Sequence, residues 1–155
     1  MWLVETSVLR PAMAGDVDKL AELRAVVMRP DLERLGRYDE HRVRQRLRDS
    51  FSTEYTSVIE IDGELAGCIT VRPADDGLLL EHFYLALEHQ GRGLGSAVLE
   101  RTLAQSDAED MAVRLNVLQG SLARRLYERH GFVLEHEDPV DVFMVRLPRS
   151  TGSGG

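Results

Sequence analysis

The chain has a single cysteine, Cys68, so no disulfide can close within it. Cys68 stands in the apolar run Leu65 to Arg72, where a thiol reads as a small core residue rather than a reactive group. No apolar segment approaches the roughly eighteen residues needed to span a bilayer. Met1 is followed by Trp2-Leu3-Val4-Glu5, with no basic stretch or signal-like apolar run, so a cytoplasmic location is expected. Basic residues are the minority: 19 Lys and Arg against 26 Asp and Glu give a formal charge of −7. That balance argues against a nucleic-acid or anionic-membrane binder, and neither is expected as a partner. Internal repeats and low-complexity runs are also missing, and no metal site is assigned.

The 155 residues, with 43% apolar and 29% charged, suit one globular domain with a substantial core. The expected domain covers 1–148, and the Gly/Ser-rich end at 149–155 is set aside as a flexible tail.

Thr6 to Arg10 reads as a first strand, stopped by Pro11. Asp16 is a candidate N-cap, and Val17, Leu20, Ala21, Arg24, Val27 and Met28 then share one helical face. Pro30 should end that helix or turn the chain just after it, leaving Asp31 to Asp39 polar and irregular. A second helix is expected from Asp39 to Phe51, with Val43, Leu47 and Phe51 inward and Arg42, Arg44, Arg46 and Arg48 on solvated faces. Ser57–Ile61 and Leu65–Arg72 are β-rich runs joined by Asp62-Gly63-Glu64, a strong hairpin signal. Strands Leu78–Leu85 and Met111–Leu118 flank a helix that starts at Leu94, which makes one parallel βαβ crossover. Ser121 is the candidate N-cap of a last helix, Gly131 its C′ residue, and Phe132–His136 and Val140–Leu147 close the chain. The order β-α-α-β-β-β-α-β-α-β-β predicts an α/β (α+β) fold. Its mixed, mostly antiparallel sheet has about seven strands, with about four helices.

The chain is organised around Gln90-Gly91-Arg92-Gly93-Leu94-Gly95-Ser96, set between a strand and a helix. Glycines permit a sharp turn and close approach of a ligand, and the first N–H groups of a helix lack intrahelical partners. Together with the helix dipole they suit an anion such as phosphate. Taken by itself, the loop also fits an unliganded strand-to-helix turn.

Gln90-x-x-Gly93-x-Gly95 resembles the pyrophosphate loop of the GNAT superfamily of acetyl-CoA-dependent N-acyltransferases. Ala123-Arg124-Arg125-Leu126-Tyr127-Glu128-Arg129-His130-Gly131-Phe132 is similar to that family's helix ending, Ala-x-x-Leu-Tyr-Glu-x-x-Gly-Phe. The element order of residues 5–148 also resembles the GNAT fold. The resemblance implies that acetyl-CoA is the cosubstrate, with no metal. Gly91, Arg92, Gly93, Leu94, Gly95 and Ser96 would hold its pyrophosphate, joined by Gln90. The main chain of Phe83, Tyr84 and Leu85 would meet pantetheine and the acetyl carbonyl. Tyr127 matches the tyrosine that protonates the departing thiolate; a phenol with an ordinary pKa near 10 stays protonated at neutral pH. Ser121 stands where many members carry a cofactor-contacting Asn, and Asn116 where many carry a glutamate base. Glu81 is therefore the favoured proton acceptor, with His82 the alternative. Tyr38, Glu40 and Arg37 lie in the region that forms the acceptor wall in such proteins.

The function expected is N-acetyl transfer to a primary amine of a small molecule or peptide, by direct attack in a ternary complex. The enzyme is expected to be a monomer or homodimer. The reading from another class is a non-catalytic acyl-CoA-binding regulatory module.

Overall fold

A computed structural model describes residues 7–149. Thr6 and the segment around Trp2 lie outside the described residues, as does the expected tail beyond Arg149. Seven strands and four helices follow in the expected order. They are β1 (Ser7–Pro11), α1 (Val17–Arg34), α2 (Glu40–Ser50), β2 (Thr56–Ile61), β3 (Glu64–Ala74), β4 (Gly77–Leu85), α3 (Leu94–Ala108), β5 (Val113–Leu118), α4 (Ala123–Arg129), β6 (Val133–Glu137) and β7 (Asp141–Arg146). The strand order is β1-β2-β3-β4-β5-β7-β6. The β1–β2, β2–β3, β5–β7 and β6–β7 pairs are antiparallel. The expected parallel pair is β4–β5, with Leu78 opposite Val113 and Leu79 opposite Arg114. The chain forms two compact units, residues 7–71 with 81–94, and residues 72–80 with 95–149.

In the first unit, Asp62 (φ 52°) and Gly63 (φ 82°) make the two-residue turn between β2 and β3. Two left-handed residues give that turn the twist a hairpin needs. Helix α1 does not stop at Pro30 as expected but runs through it to Arg34. Proline removes only one N–H, and it lies on the exposed side with Val26, where water can satisfy the carbonyl left over. The stop comes at Gly36 (φ 71°): Gly36 N–H donates to the Glu33 carbonyl and Arg37 N–H to the Leu32 carbonyl, a Schellman ending. Asp16 does not cap α1; its carboxylate accepts from the Met13 N–H at 2.7 Å and from Arg10 at 2.9 Å. Asp39 does cap α2, accepting from the N–H groups of His41 (3.0 Å) and Arg42 (2.8 Å). Helix α2 lies against α1 through Arg44–Glu22 and Arg48–Asp18 contacts, both 2.7 Å. Beneath them Ala12, Leu20, Ala21, Leu47, Val58, Cys68 and Tyr84 form one apolar cluster. Gly67 is small for a reason, since a side-chain carbon there would run into the Tyr84 carbonyl of β4.

In the second unit, Leu99, Leu103, Val113, Leu115, Phe132, Val142 and Met144 are buried. Helix α4 ends as α1 does. Gly131 (φ 94°) donates to the Glu128 carbonyl, and Phe132 N–H to the Tyr127 carbonyl at 3.1 Å. The Phe132 ring then meets the Tyr127 ring edge-on at 5.6 Å, the apolar contact that accompanies such endings. The Gly-Phe of the motif is thus a helix stop in physical terms. One ion pair ties α3 to β7: Arg146 Nη1 and Nη2 bond both Asp107 oxygens at 2.7 and 3.0 Å, with side chains 5% and 9% exposed. Arg146 Nε also donates to the His130 carbonyl (2.9 Å), and Asp107 accepts the Arg149 N–H (2.9 Å).

Breaking a buried pair from one side leaves the other charge stranded, so Asp107→Ala should cost about 3 kcal/mol in denaturant unfolding. Hydrogen bonds from Arg146 hold the Asp107 carboxyl below the usual carboxylate range. A depressed carboxyl contributes stability that is present above about pH 4 and lost as pH falls through its folded value. Acidification should therefore weaken wild type more than Asp107→Ala. Parallel acid profiles for the two proteins would contradict this role for the pair.

Candidate active site

The glycine turn sits where the sequence places it. Strand β4 ends at Leu85, a 3-10 turn covers Leu87–His89, and α3 begins at Leu94. Gly91 (φ 76°) and Gly93 (φ 84°) are left-handed, which any other residue would resist. A side-chain carbon at either would meet nothing within 4 Å, so the outer face of the turn is open. The N–H groups of the first turn of α3 have no intrahelical acceptors and lie at the positive end of the helix dipole. Such a cradle fits a phosphate or pyrophosphate group.

Two side chains fix the ends of this segment. Gln90 Nε2 donates to the Leu85 carbonyl at 2.8 Å, closing the turn back onto β4. Gln90 thus bonds the chain itself, taking up one of the two lone pairs of the Leu85 carbonyl. Ser96 Oγ lies 3.3 Å from His130 Nε2, linking the first turn of α3 to the end of α4. Burial pushes the His130 imidazole below its ordinary value.

Strand β4 carries Glu81 to Leu85. Glu81, His82 and Phe83 are half-buried, and Tyr84 and Leu85 buried. His82 is left-handed (φ 49°) inside the strand. Its ring and that of Tyr84 share a side: His82 Nδ1 is 3.1 Å from the Tyr84 hydroxyl. His82 Nε2 lies 2.5 Å from Ser50 Oγ of α2. Arg24 Nε donates to the Tyr84 hydroxyl at 2.9 Å, and Arg24 Nη1 to the Val43 carbonyl at 2.6 Å. Burial raises the Tyr84 phenol to about 12, against the opposing pull of Arg24. Arg24 and Ser50 were not singled out as site residues in the sequence. The available signal was a cation at the centre of an otherwise apolar helical face.

Tyr127 is 6% exposed and packs on Phe132. Ser121 Oγ accepts the Ala123 N–H at 3.1 Å, so it caps the start of α4 from one residue before the formal cap, Leu122. Asn116 is exposed and donates to Asp141 Oδ1 at 2.9 Å. In the loop after α1, Tyr38 lies under the Arg29 guanidinium, 4.6 Å from ring centre, while Arg37 and Glu40 are exposed. A cavity of about 690 Å³ in the first unit is lined by Arg10, Asp16, Lys19, Glu60, Glu64 and Glu88 among others, and includes none of Gln90–Ser96. Arg10 neutralises two of its carboxylates, Asp16 and Glu60 (2.9 and 2.6 Å). Among the described residues no group of three or more His, Cys, Asp or Glu could hold a metal. None of their helices is long and apolar enough to cross a membrane.

The acetyltransferase (GNAT) domain family matches residues 52–134, more than half of the chain. The chain belongs to that family, and is an acyltransferase of the GNAT type. Its fold is similar to that of the PaiA N-acetyltransferase from Thermoplasma acidophilum in complex with coenzyme A, at TM-score 0.74 and 20% identity over 91% of this chain and 98% of that one. It is also similar to the ribosomal-protein-S18-alanine N-acetyltransferase from Escherichia coli, at TM-score 0.72 and 16% identity over 96% and 97% of the two chains. N-acetylglutamate synthase from Neisseria gonorrhoeae, complexed with coenzyme A and L-arginine, gives TM-score 0.66 and 19% identity over 94% of this chain and 34% of that one. No curated protein matches the chain.

The lone thiol is inert by position. Cys68 is fully buried, its Sγ–H directed at the His82 carbonyl (3.1 Å), and desolvation pushes it up to about 12. A chromogenic disulfide reagent at pH 8 should find no reactive thiol in the native protein and one after denaturation. Rapid native labelling would contradict the burial.

Proposed function

We propose that the chain transfers the acetyl group of acetyl-CoA to a primary amine of a small molecule or peptide, by direct attack in a ternary complex. The observation that carries this reading is the glycine turn: two left-handed glycines, open on their outer face, heading a 15-residue helix in a GNAT chain. Solved GNAT structures of the same fold contain coenzyme A, which supports the choice of anion.

In this reading the N–H groups of Gly91 to Ser96 take the pyrophosphate, and Gln90 holds the turn in place. Arg92, exposed beside them, adds a cation. Main-chain groups of Phe83 to Leu85 align the pantetheine, and a peptide N–H there stabilises negative charge on the acetyl oxygen during attack. Glu81, directly or through water, takes the proton that an amine carries near neutral pH. As the carbon–sulfur bond breaks, Tyr127 gives its phenolic proton to the sulfur. Cys68 takes no part, because a buried thiol with its pKa pushed up to about 12 is not a nucleophile. The second reading, a non-catalytic acyl-CoA-binding module, draws on Asn116, an amide that cannot serve as a base.

Two variants separate these readings. Gly93→Val should stay folded, since its side chain meets open space, but should lose CoA affinity in calorimetry because the turn cannot keep φ 84°. Unchanged affinity would move the cofactor elsewhere. Tyr127→Phe should bind acetyl-CoA nearly as wild type and lower turnover on an amine panel by roughly 10²–10⁴-fold. Thiol release by neither protein, with binding intact, would favour the binding module.

A further inference from the structure

The side chains around His82 fix where its proton lies. A guanidinium only donates, so the Tyr84 oxygen is an acceptor toward Arg24 Nε and its own hydrogen points elsewhere. The neighbouring atom is His82 Nδ1, at 3.1 Å. On the other side, Ser50 Oγ lies 3.0 Å from the Arg46 carbonyl, which only accepts, so the serine hydrogen is committed there. Ser50 Oγ must then accept from His82 Nε2, at 2.5 Å. One direction satisfies every group: Arg24 donates to Tyr84, Tyr84 to Nδ1, Nε2–H to Ser50, and Ser50 to Arg46. That direction corresponds to an imidazole carrying its proton on Nε2.

This chain passes through a strained residue. A left-handed conformation costs a residue with a side chain about 1–2 kcal/mol, and persists where surrounding contacts over-determine it. His82 holds φ 49° with its ring fixed at both nitrogens and its carbonyl accepting from Cys68 Sγ. The next three residues are Phe83, Tyr84 and Leu85, whose backbone the proposed function assigns to pantetheine and the acetyl carbonyl.

We propose that His82 is a positioning residue. In its Nε2–H tautomer it is a hydrogen-bonded strut from α1 and α2 to β4, and it holds the backbone of Phe83–Leu85 in its ligand-binding course. The inference rests on the function proposed above for that segment. It gives Arg24, Ser50 and Tyr84 a shared task without placing any of their side chains on the substrate.

The test has a part that needs no ligand. Long-range ¹H–¹⁵N spectra of the free protein at pH 7 should show His82 as the Nε2–H tautomer, and Tyr84→Phe, which removes the donor to Nδ1, should relax that preference. Binding is then read by calorimetry with CoA. His82→Phe fills the space without hydrogen bonds and should weaken CoA affinity about tenfold or more, the scale of one or two lost hydrogen bonds. His82→Asn should bind within about threefold of wild type, because an Asn oxygen can accept from Tyr84 and Asn tolerates the left-handed region. If His82→Phe fails to fold, the Asn variant and the Tyr84→Phe spectra still decide the matter. An Nδ1–H tautomer in wild type, or unchanged CoA affinity in His82→Phe, overturns the inference while leaving the proposed function intact. Absence of CoA binding by wild type overturns the proposed function and this inference with it, whatever the tautomer.

Discussion

A cation buried among apolar side chains must be met by fixed acceptors, and Arg24 imposes that demand on the first unit. It is 7% exposed and belongs to the inward face of α1 together with Leu20 and Ala21. Its partners are neutral: a phenol on β4 and a main-chain carbonyl on α2. Neutral acceptors leave the charge uncompensated, so geometry has to do what a carboxylate would otherwise do. One side chain thereby sets the relation of α1 and α2 to β4. Gly67 allows the close approach of β3 to β4 that the same arrangement needs.

The second unit solves a similar problem with a true ion pair. Arg146 meets Asp107 through two bonds and donates from Nε to the His130 carbonyl. That carbonyl lies at the end of α4, beside the glycine stop that follows Tyr127. The position of Tyr127 is thus set by main-chain closure and by Phe132.

Much of this was legible in the residues. The hairpin at Asp62-Gly63, the Gly131 stop and the order of elements along the chain all follow from local chemistry that acts within a few positions. The glycine turn was legible for the same reason. The misreadings came where local rules compete with distant contacts. Pro30 was expected to stop α1, yet the missing N–H lies on an exposed side and Gly36 supplies the stop. Asp16 has a capping residue's identity, but Arg10 and Met13 claim its carboxylate. Arg24 and Ser50 stand far from β4 in the chain, so their service to His82 and Tyr84 could not be read from spacing.

The bond from Gln90 to the Leu85 carbonyl has an entropic consequence. A flexible loop must be ordered by whatever binds it, at about 1–2 kcal/mol for each backbone residue fixed. Here the segment from Ala86 to Gln90 is already closed by that amide and by the 3-10 turn, and α3 begins at Leu94. Only Gly91, Arg92 and Gly93 lie between that closed segment and the helix. A ligand bound at the turn would have at most those three residues to order instead of the whole connection, and more of its interaction energy would survive as affinity.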